Sequence, residues 1–214
     1  METQWKVNVV NEKGRFPYLI IDNWYTPEEK QLVETELNYY LTSKSKEDLH
    51  RIGDGGDVAR GSDGQSKAKG YRWFPGVMYH KEFRDISPIL RFINKSQTHE
   101  FHQIIDRVRP AGRNFRVTNN DDTIVTYYHE DDEYKAHTDK FYWTQCVWLK
   151  KNEEAFEGGD LALADPEQTV KMKDNRCIFF PSPMFHQSTP IKFNKKNPQL
   201  GDGKFTITHF YWFK

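Results

Sequence analysis

The sequence predicts a mainly β fold, a double-stranded β-helix or jelly roll, with N-terminal helices packed on one sheet. Three observations support this class. The C-terminal half holds eight short segments rich in β-branched and aromatic residues. Turn-forming pairs such as Gly158-Gly159 and Asp174-Asn175 separate most of these segments. Eight short antiparallel strands suit a double-sheet jelly roll.

The predicted strands follow one another through the C-terminal half of the chain. They cover residues 123–128, 134–139, 143–149, 160–164, 170–172, 176–180, 185–191 and 205–213. Their lengths fall within the usual range for strands of globular proteins. This run of strands is the part of the chain that we expect to form the jelly-roll core.

The N-terminal part predicts a strand followed by helices. Residues 16–22 have the apolar content of a short strand. Thr26 begins a helix, because threonine caps helices well and Pro27 suits the first helical position. The apolar face of this helix contains Leu32, Val33, Leu37 and Tyr40. One or two further helices are predicted within residues 86–108.

The chain has 214 residues, a length that suits one domain with a sizeable core. We therefore predict a single domain over residues 1–214. Its strand and helical support would cover about residues 1–110, and its jelly-roll core about residues 111–214. Residues 43–70 are rich in glycine and charge, with few apolar residues. They predict a mobile loop, either a lid over the site or a disordered segment.

Composition argues against several classes of protein. Lysine plus arginine and aspartate plus glutamate both number 31, so no overall basic charge favours a nucleic-acid partner. The sequence shows neither a signal peptide nor the run of about 20 apolar residues that spans a membrane. Cys146 and Cys177 lie in predicted strands, which favours two buried, reduced thiols over a disulfide. We expect a cytoplasmic protein with no nucleic-acid or membrane partner.

The motif His137-Thr138-Asp139, followed by His186, has the pattern of a 2-His-1-carboxylate triad. Such a triad binds Fe(II) on one face and leaves the other coordination positions open. Alternation within residues 134–139 predicts that His137 and Asp139 point to the same face of a strand. The turn formed by Pro181-Ser182-Pro183 then delivers His186. We interpret these three residues as catalytic metal ligands.

The remaining histidines are expected to be exposed or packed rather than ligating. They are His50, His80, His99, His102, His129 and His209.

The segment Gly203-Lys204-Phe205-Thr206 has two interpretations, of which the first is an anion site. Lys204 and Thr206 lie two apart on the last predicted strand and so face the same way. A buried lysine is costly unless an anion neutralises it, and a dicarboxylate cosubstrate would supply that anion. The alternative is an exposed lysine after a glycine-rich turn, and the strand pattern alone does not choose between them.

Together, these motifs resemble the Fe(II)/2-oxoglutarate-dependent dioxygenases of the prolyl 4-hydroxylase-like type. The resemblance rests on Tyr128 followed after eight residues by His137-Thr-Asp139, on Glu157-Gly-Gly-Asp-Leu161, on Asn175-Arg-Cys-Ile-Phe-Phe-Pro181, on His186-Gln-Ser-Thr-Pro190 and on Gly203-Lys-Phe-Thr206. It is close over residues 123–213 and looser over residues 16–40.

The resemblance implies roles for individual residues. The metal ligands would be His137, Asp139 and His186. The residues that bind 2-oxoglutarate would be Lys204, Thr206 and Tyr128, with Tyr127 as the alternative to Tyr128. The family's basic residue usually falls earlier, where Lys196 stands. We assign the role to Lys204 because residues 193–201 look like an inserted loop.

The resemblance also implies the reaction. Fe(II) and 2-oxoglutarate would serve as cofactor and cosubstrate, with ascorbate added in assays, and hydroxylation would release succinate and CO2. We expect the substrate to be a prolyl residue in a peptide or protein. Tyr71, Trp73 and Phe74 would suit an extended proline-rich chain, or would instead pack the helices against the sheet. The alternatives are a free amino acid or other small molecule, or a non-catalytic metal-binding jelly roll.

Overall fold

The computed structural model describes residues 5–11, 17–43, 58–163 and 165–214. The helices are α1 (Pro27–Ser43), α2 (Pro75–Met78), α3 (Pro88–Arg91) and α4 (His99–Ile105), and short 3₁₀ helices span Lys81–Ile86, Phe92–Gln97 and Gly112–Val117. The strands are β1 (Lys6–Val10), β2 (Tyr18–Asp22), β3 (Tyr71–Trp73), β4 (Asn120–Tyr128), β5 (Tyr134–His137), β6 (Trp143–Leu149), β7 (Phe156–Gly158), β8 (Leu161–Leu163), β9 (Asp165–Val170), β10 (Arg176–Pro181), β11 (His186–Ser188), β12 (Ile191–Phe193) and β13 (Lys204–Trp212). None of the helices in these described ranges is long and apolar enough to cross a membrane.

Two antiparallel sheets form the body of the protein and confirm the predicted jelly-roll class. The larger sheet has the strand order β1-β2-β10-β6-β13-β4-β3, and the smaller has the order β5-β11-β8-β9. Strands β7 and β12 pair separately. Side chains from both sheets share one buried apolar cluster, so the sheets pack face to face.

The central strands of the larger sheet are buried on both faces, because helices cover the face turned away from the smaller sheet. Every residue of β6 is buried. Val147 belongs to the cluster shared with the helices, whereas Trp148 belongs to the cluster between the sheets. The same alternation separates Cys146 from Cys177, whose thiols are free and buried as predicted. Because the two cysteines belong to clusters on opposite faces, they do not form a disulfide.

The start of α1 agrees with the sequence prediction. The backbone N–H of Glu29 donates to Thr26 Oγ1 over 3.2 Å. The backbone N–H of Thr26 donates to Glu29 Oε2 over 2.9 Å. This reciprocal pair is a capping box, which satisfies two backbone donors at the helix start.

The predicted helical segment 86–108 is more broken than its apolar pattern indicates. Ser87 caps α3 by accepting from the backbone N–H of Leu90. Thr98 caps α4 by accepting from the backbone N–H of Phe101. The hydroxyl groups of Ser87 and Thr98 thus begin two separate helices, and a 3₁₀ helix connects α3 to α4.

Strands β1 and β3 were not predicted, and the predicted strands of the C-terminal half differ from the observed ones mainly in three places. Residues 185–191 form two strands, β11 and β12, because Pro190 between them lacks a backbone donor. The strand expected at residues 170–172 lies earlier in the chain, as β9. The three-residue strand β7 is too short to show any periodicity and was not predicted.

Part of the predicted mobile loop lies outside the described residues, namely residues 44–57. The described remainder runs beside β5. The backbone N–H of Lys69 donates to the Glu133 carbonyl over 2.8 Å, and that of Lys135 donates to the Lys67 carbonyl over 2.9 Å. Movement of this loop over the site stays a prediction.

Candidate active site

The two candidate histidine ligands come from neighbouring strands of the smaller sheet. His137 at the end of β5 is the register partner of His186 at the start of β11. Asp139 follows β5, and its backbone N–H donates to the Ser182 carbonyl over 3.0 Å. Its carboxylate oxygens lie 3.6 Å from His137 Nε2 and 3.4 Å from His186 Nε2. The structure therefore brings together the three residues that the H-x-D motif and the later histidine predicted.

Backbone carbonyls fix the orientation of both imidazole rings. His137 Nδ1 lies 2.9 Å from the Lys135 carbonyl oxygen, and His186 Nδ1 lies 2.9 Å from the Met184 carbonyl oxygen. A carbonyl oxygen only accepts, so each Nδ1 carries the hydrogen and each Nε2 keeps its lone pair. Hydrogen bonds of this kind orient histidine ligands in metal sites.

Burial sets the ionisation of the cluster. Burial lowers the pKa of His137 to about 3, and the neighbouring His186 adds to the effect. Burial also raises the pKa of Asp139, against the opposing influence of His186 and the hydrogen bond from Thr144. The cluster thus offers a neutral His137 imidazole and an Asp139 carboxylate whose ionised form a bound divalent cation would stabilise.

Two hydroxyl groups hold the Asp139 carboxylate in place, and sequence reasoning missed both. Thr144 Oγ1 on β6 donates to Asp139 Oδ2 over 2.8 Å. Ser182 Oγ lies 2.8 Å from Thr144 Oγ1 and donates to it, because the Thr144 hydrogen is already used. Alternation along β6 places Thr144 on the same face as Cys146, but the sequence does not show that Asp139 lies opposite.

The donor set fits Fe(II). Two imidazole nitrogens and one carboxylate oxygen all lie within 4.8 Å of one another. No other group of three or more histidine, cysteine, aspartate or glutamate side chains in the described part of the chain has this spacing. The set combines neutral nitrogen and anionic oxygen donors, and a pocket on one side leaves room for further ligands.

Lys204 lies in the same pocket and is 1% exposed. Its Nζ donates to the Gly159 carbonyl over 2.5 Å and to Ser188 Oγ over 3.1 Å. The amine also lies 4.5 Å from the ring centroid of Trp148 and 5.3 Å from that of Tyr128. Both acceptors are uncharged, and burial lowers the pKa of Lys204 to about 7. A carboxylate bound here would restore the protonated form.

Thr206 and Tyr128 line this pocket beside Lys204. Thr206 Oγ1 is buried and has no hydrogen-bond partner among the described residues. Tyr127, the alternative to Tyr128, belongs to the core on the helix side of the sheet. Its hydroxyl accepts from the backbone N–H groups of two loop glycines, Gly201 and Gly203, over 2.8 and 3.0 Å. Strand alternation therefore places Tyr128, not Tyr127, against Lys204.

The earlier lysine, Lys196, is exposed in a bend between β12 and β13. It does not line the pocket that contains the predicted ligands. Of the two lysines considered from sequence, the structure thus places Lys204 in the pocket.

The pocket extends along β13 beyond the triad. It contains about 510 Å³ of space, part of it open to solvent. Phe210 lines its far end and is the register partner of Thr144. Phe141 stacks on Phe210 with ring centroids 4.5 Å apart and lies 5.1 Å from the Trp212 ring. We call Phe141, Phe210 and Trp212 the aromatic wall.

Arg72 on β3 also lines the pocket, and no motif in the sequence indicates this position. For its neighbours Tyr71 and Trp73, the sequence allows either a surface for an extended substrate or packing of the helices against the sheet. The structure places them on the helix side instead, where the Trp73 ring lies 5.6 Å from the Tyr40 ring and Tyr71 packs against Tyr127. The packing alternative is therefore the one observed for Tyr71 and Trp73.

Comparison with known proteins agrees with this geometry. Residues 123–212 match the family model described as the 2OG-Fe(II) oxygenase superfamily. A search of the curated proteins finds no match.

Several solved structures share the fold. One is a prolyl-4-hydroxylase of Pseudomonas putida, at 10% identity and TM-score 0.57 over 92% of each chain. Another is a 2OG-Fe(II) oxygenase family oxidoreductase of Burkholderia pseudomallei, at 10% identity and TM-score 0.54 over 91% of this chain and 84% of that one. A third is the α-ketoglutarate-dependent epimerase SnoN of nogalamycin biosynthesis, at 11% identity and TM-score 0.53 over 93% of this chain and 79% of that one. At such low identity these structures show the shared fold alone. The match to the 2OG-Fe(II) oxygenase superfamily model covers residues 123–212, which carry the triad and Lys204.

Proposed function

We propose that this protein is an Fe(II)- and 2-oxoglutarate-dependent hydroxylase whose residues 1–214 act as one domain. The observation that carries the proposal is the arrangement of one pocket. The cluster of His137, Asp139 and His186 lines it together with the buried amine of Lys204. A metal site and an anion site in one cavity suit a cosubstrate that chelates the metal at one end and carries a carboxylate at the other.

The triad would hold the metal, and the rest of the chain would prepare the site. Fe(II), 2-oxoglutarate and O2 would together supply the oxidation, in which one oxygen atom of O2 enters a C–H bond and the other enters succinate, with release of CO2. Thr144 fixes the Asp139 carboxylate by its hydrogen bond. The rings of Tyr128 and Trp148 flank the amine of Lys204 and exclude water from it.

The orphaned hydroxyl of Thr206 supports the assignment of the cosubstrate end. Lys204 and Thr206 lie two apart on β13, so both side chains face the pocket. A buried hydroxyl without a partner is costly, and a bound carboxylate would accept from it and from the Lys204 amine together. We therefore propose Lys204, Thr206 and Tyr128 as the 2-oxoglutarate-binding residues.

A non-catalytic metal protein is the weaker reading of this site. A structural metal site is normally closed by four protein ligands. The cluster found in the described residues has three, and the pocket opens beside it.

For the substrate we propose a prolyl residue in a peptide or protein. The aromatic wall supports this choice, because flat proline rings pack well on aromatic side chains. A free amino acid or other small molecule is the second candidate, and Arg72 in the pocket is the observation that favours it.

The cytoplasmic location rests on the two free thiols and stays a prediction.

The test is an assay of purified protein with Fe(II), ascorbate and 2-oxoglutarate. We expect succinate to form, and the substrate to gain the mass of one oxygen. Proline-containing peptides and free L-proline are compared, and the Asp139→Ala variant serves as the inactive control. Turnover of peptide but not of free proline supports the prolyl-residue proposal, and the opposite preference replaces it with an amino-acid hydroxylase. Absence of iron-dependent succinate formation with every substrate would refute the hydroxylase itself.

A further inference from the structure

Arg72 lies in the same cross-strand row as the residues proposed to hold the cosubstrate. It is the register partner of Thr126 on β4, and Thr126 is the register partner of Thr206 on β13. Paired residues of neighbouring strands point to the same face, so the Arg72 side chain points into the pocket. The residue is 9% exposed.

The guanidinium lies close to the triad. Its central carbon is 5.6 Å from the ring centroid of Tyr134 on the smaller sheet. The Tyr134 ring stacks on the His137 ring with centroids 3.6 Å apart. A group bound to Arg72 would therefore lie beside a candidate metal ligand, where a reacting C–H bond has to be placed.

Arg72 and Lys204 contact different parts of the pocket: the Arg72 guanidinium lies over the Tyr134 ring, whereas the Lys204 amine donates to Gly159 and Ser188. Lys204 pairs with Tyr128, two residues along β4 from the partner of Arg72. The two positions are thus separated by two strand spacings and two residues, about 12 Å between Cα atoms. The pocket has two separate cationic groups.

The charges that line the pocket indicate what each cation binds. They are the carboxylate of Asp139, the amine of Lys204 and the guanidinium of Arg72. A bound divalent metal would offset the charges of Asp139 and of the keto-acid end of 2-oxoglutarate, and the distal carboxylate would offset the charge of Lys204. A guanidinium has five N–H donors, so Arg72 is able to bind a ligand anion in addition to its contacts within the protein.

We infer that Arg72 is a carboxylate-binding subsite for the substrate, so that the hydroxylated molecule carries a carboxylate and places its apolar part along the aromatic wall. This inference rests on the proposed hydroxylase function. Arginine binds carboxylates through two parallel N–H donors, which fixes the orientation of the bound group. The carboxylate belongs either to a free acid, such as an amino acid, or to a peptide through its C-terminus or an acidic side chain.

The first experiment compares acids with their amides on the wild-type protein. Zn(II) replaces iron, so that no turnover occurs, and 2-oxoglutarate is saturating. Thermal unfolding is then followed with the twenty L-amino acids, with proline-containing peptides that have a free C-terminus, and with the amide of each. We expect at least one acid to raise Tm while its amide does not. Equal effects of acid and amide, or no acid that raises Tm, overturn the inference. Whether a free amino acid or a peptide is effective identifies the source of the carboxylate.

The second experiment uses matched variants of Arg72 with the acid found. Arg72→Met should raise its dissociation constant about 10- to 100-fold, because a charge-assisted hydrogen bond is lost. The dissociation constant of Arg72→Lys should lie between those of the wild type and Arg72→Met, because lysine keeps the charge but loses the paired donors. The control is Arg91→Met, since the Arg91 guanidinium lies over Phe92, 4.9 Å from its ring centroid, and does not line the pocket.

The affinity for 2-oxoglutarate separates the remaining outcomes. It should be unchanged in Arg72→Met if Arg72 binds substrate. A loss of 2-oxoglutarate affinity in this variant would assign Arg72 to the cosubstrate and overturn the inference. Should Arg72→Met fail to fold, the comparison of acids with amides decides alone. Failure of the hydroxylase proposal is distinct, because it would abolish iron-dependent succinate formation with every acid and amide.

Discussion

Replacement of Lys204 by methionine tests the anion site most directly. Methionine keeps much of the length of the side chain and removes the amine, so the packing against Trp148 changes little. Lys196→Met is the matched control, because Lys196 is exposed and lies outside the pocket. We expect only the Lys204 variant to lose affinity for 2-oxoglutarate.

The environment of Lys204 gives the size of the effect. Burial lowers its pKa from 10.5 to about 7, a difference that corresponds to about 5 kcal/mol against the protonated amine. A bound carboxylate restores the charge, and a hydrogen bond to a charged group contributes about 1.5–3 kcal/mol. Loss of the amine should therefore weaken 2-oxoglutarate binding by about 10- to 150-fold.

The same pKa predicts a pH dependence with a definite sign. Between pH 7 and pH 10.5 the folded, ligand-free protein binds fewer protons at Lys204 than the unfolded chain does, because folding lowers this pKa. The contribution of Lys204 to stability therefore rises with pH across this window. 2-Oxoglutarate affinity should change in the opposite direction, falling about tenfold per pH unit above pH 7, because the amine must take up a proton to bind the anion.

Isothermal titration calorimetry of the Zn(II)-loaded protein measures both quantities. At pH 8, titrations in buffers of different ionisation enthalpy should show uptake of about 0.9 proton per 2-oxoglutarate bound. His137 does not interfere, because its pKa of about 3 lies far below this range. The reasoning is refuted if wild-type protein binds 2-oxoglutarate without proton uptake, or if Lys196→Met, rather than Lys204→Met, abolishes the uptake.

Four further predictions concern the surroundings of the site and the two buried thiols. Asp139→Ala should abolish turnover with the fold kept, as checked by succinate formation and circular dichroism; normal activity would mean that the triad is misassigned. Thr144→Val should lower metal affinity about 10- to 100-fold in a chelator competition, because Asp139 loses the hydroxyl that orients it, and an unchanged affinity would contradict this role. Gly159→Ala should lower Tm and weaken 2-oxoglutarate binding, because Gly159 has φ +69° and the added Cβ would lie 3.0 Å from the Lys204 side chain; wild-type Tm and affinity would argue against it. Both cysteines are buried and free, so they should react with a thiol reagent only after unfolding, and rapid labelling of the native protein would contradict their placement.

Local patterns in the sequence were sufficient to predict much of the fold and most of the candidate site residues. The period of two along strands predicts that Lys204 and Thr206 share one face, and the structure agrees because both line the pocket. The start of α1 follows from Thr26 and its neighbours, since capping is a contact between residues three apart. The H-x-D motif predicts a pair of ligands for the same reason, because its two side chains are fixed by one short segment.

Pairing between segments distant in the chain decided the rest. The register of β5 with β11 brings His186 to His137, and the register of β3 with β4 brings Arg72 into the pocket. The hydrogen bond from Thr144 to Asp139 likewise joins a strand of the larger sheet to the end of a strand of the smaller one. No local pattern encodes these contacts, because strand register depends on how two whole sheets bury their apolar faces. For the same reason, only the folded chain shows that Lys204 is buried beside the triad while Lys196 remains in solvent.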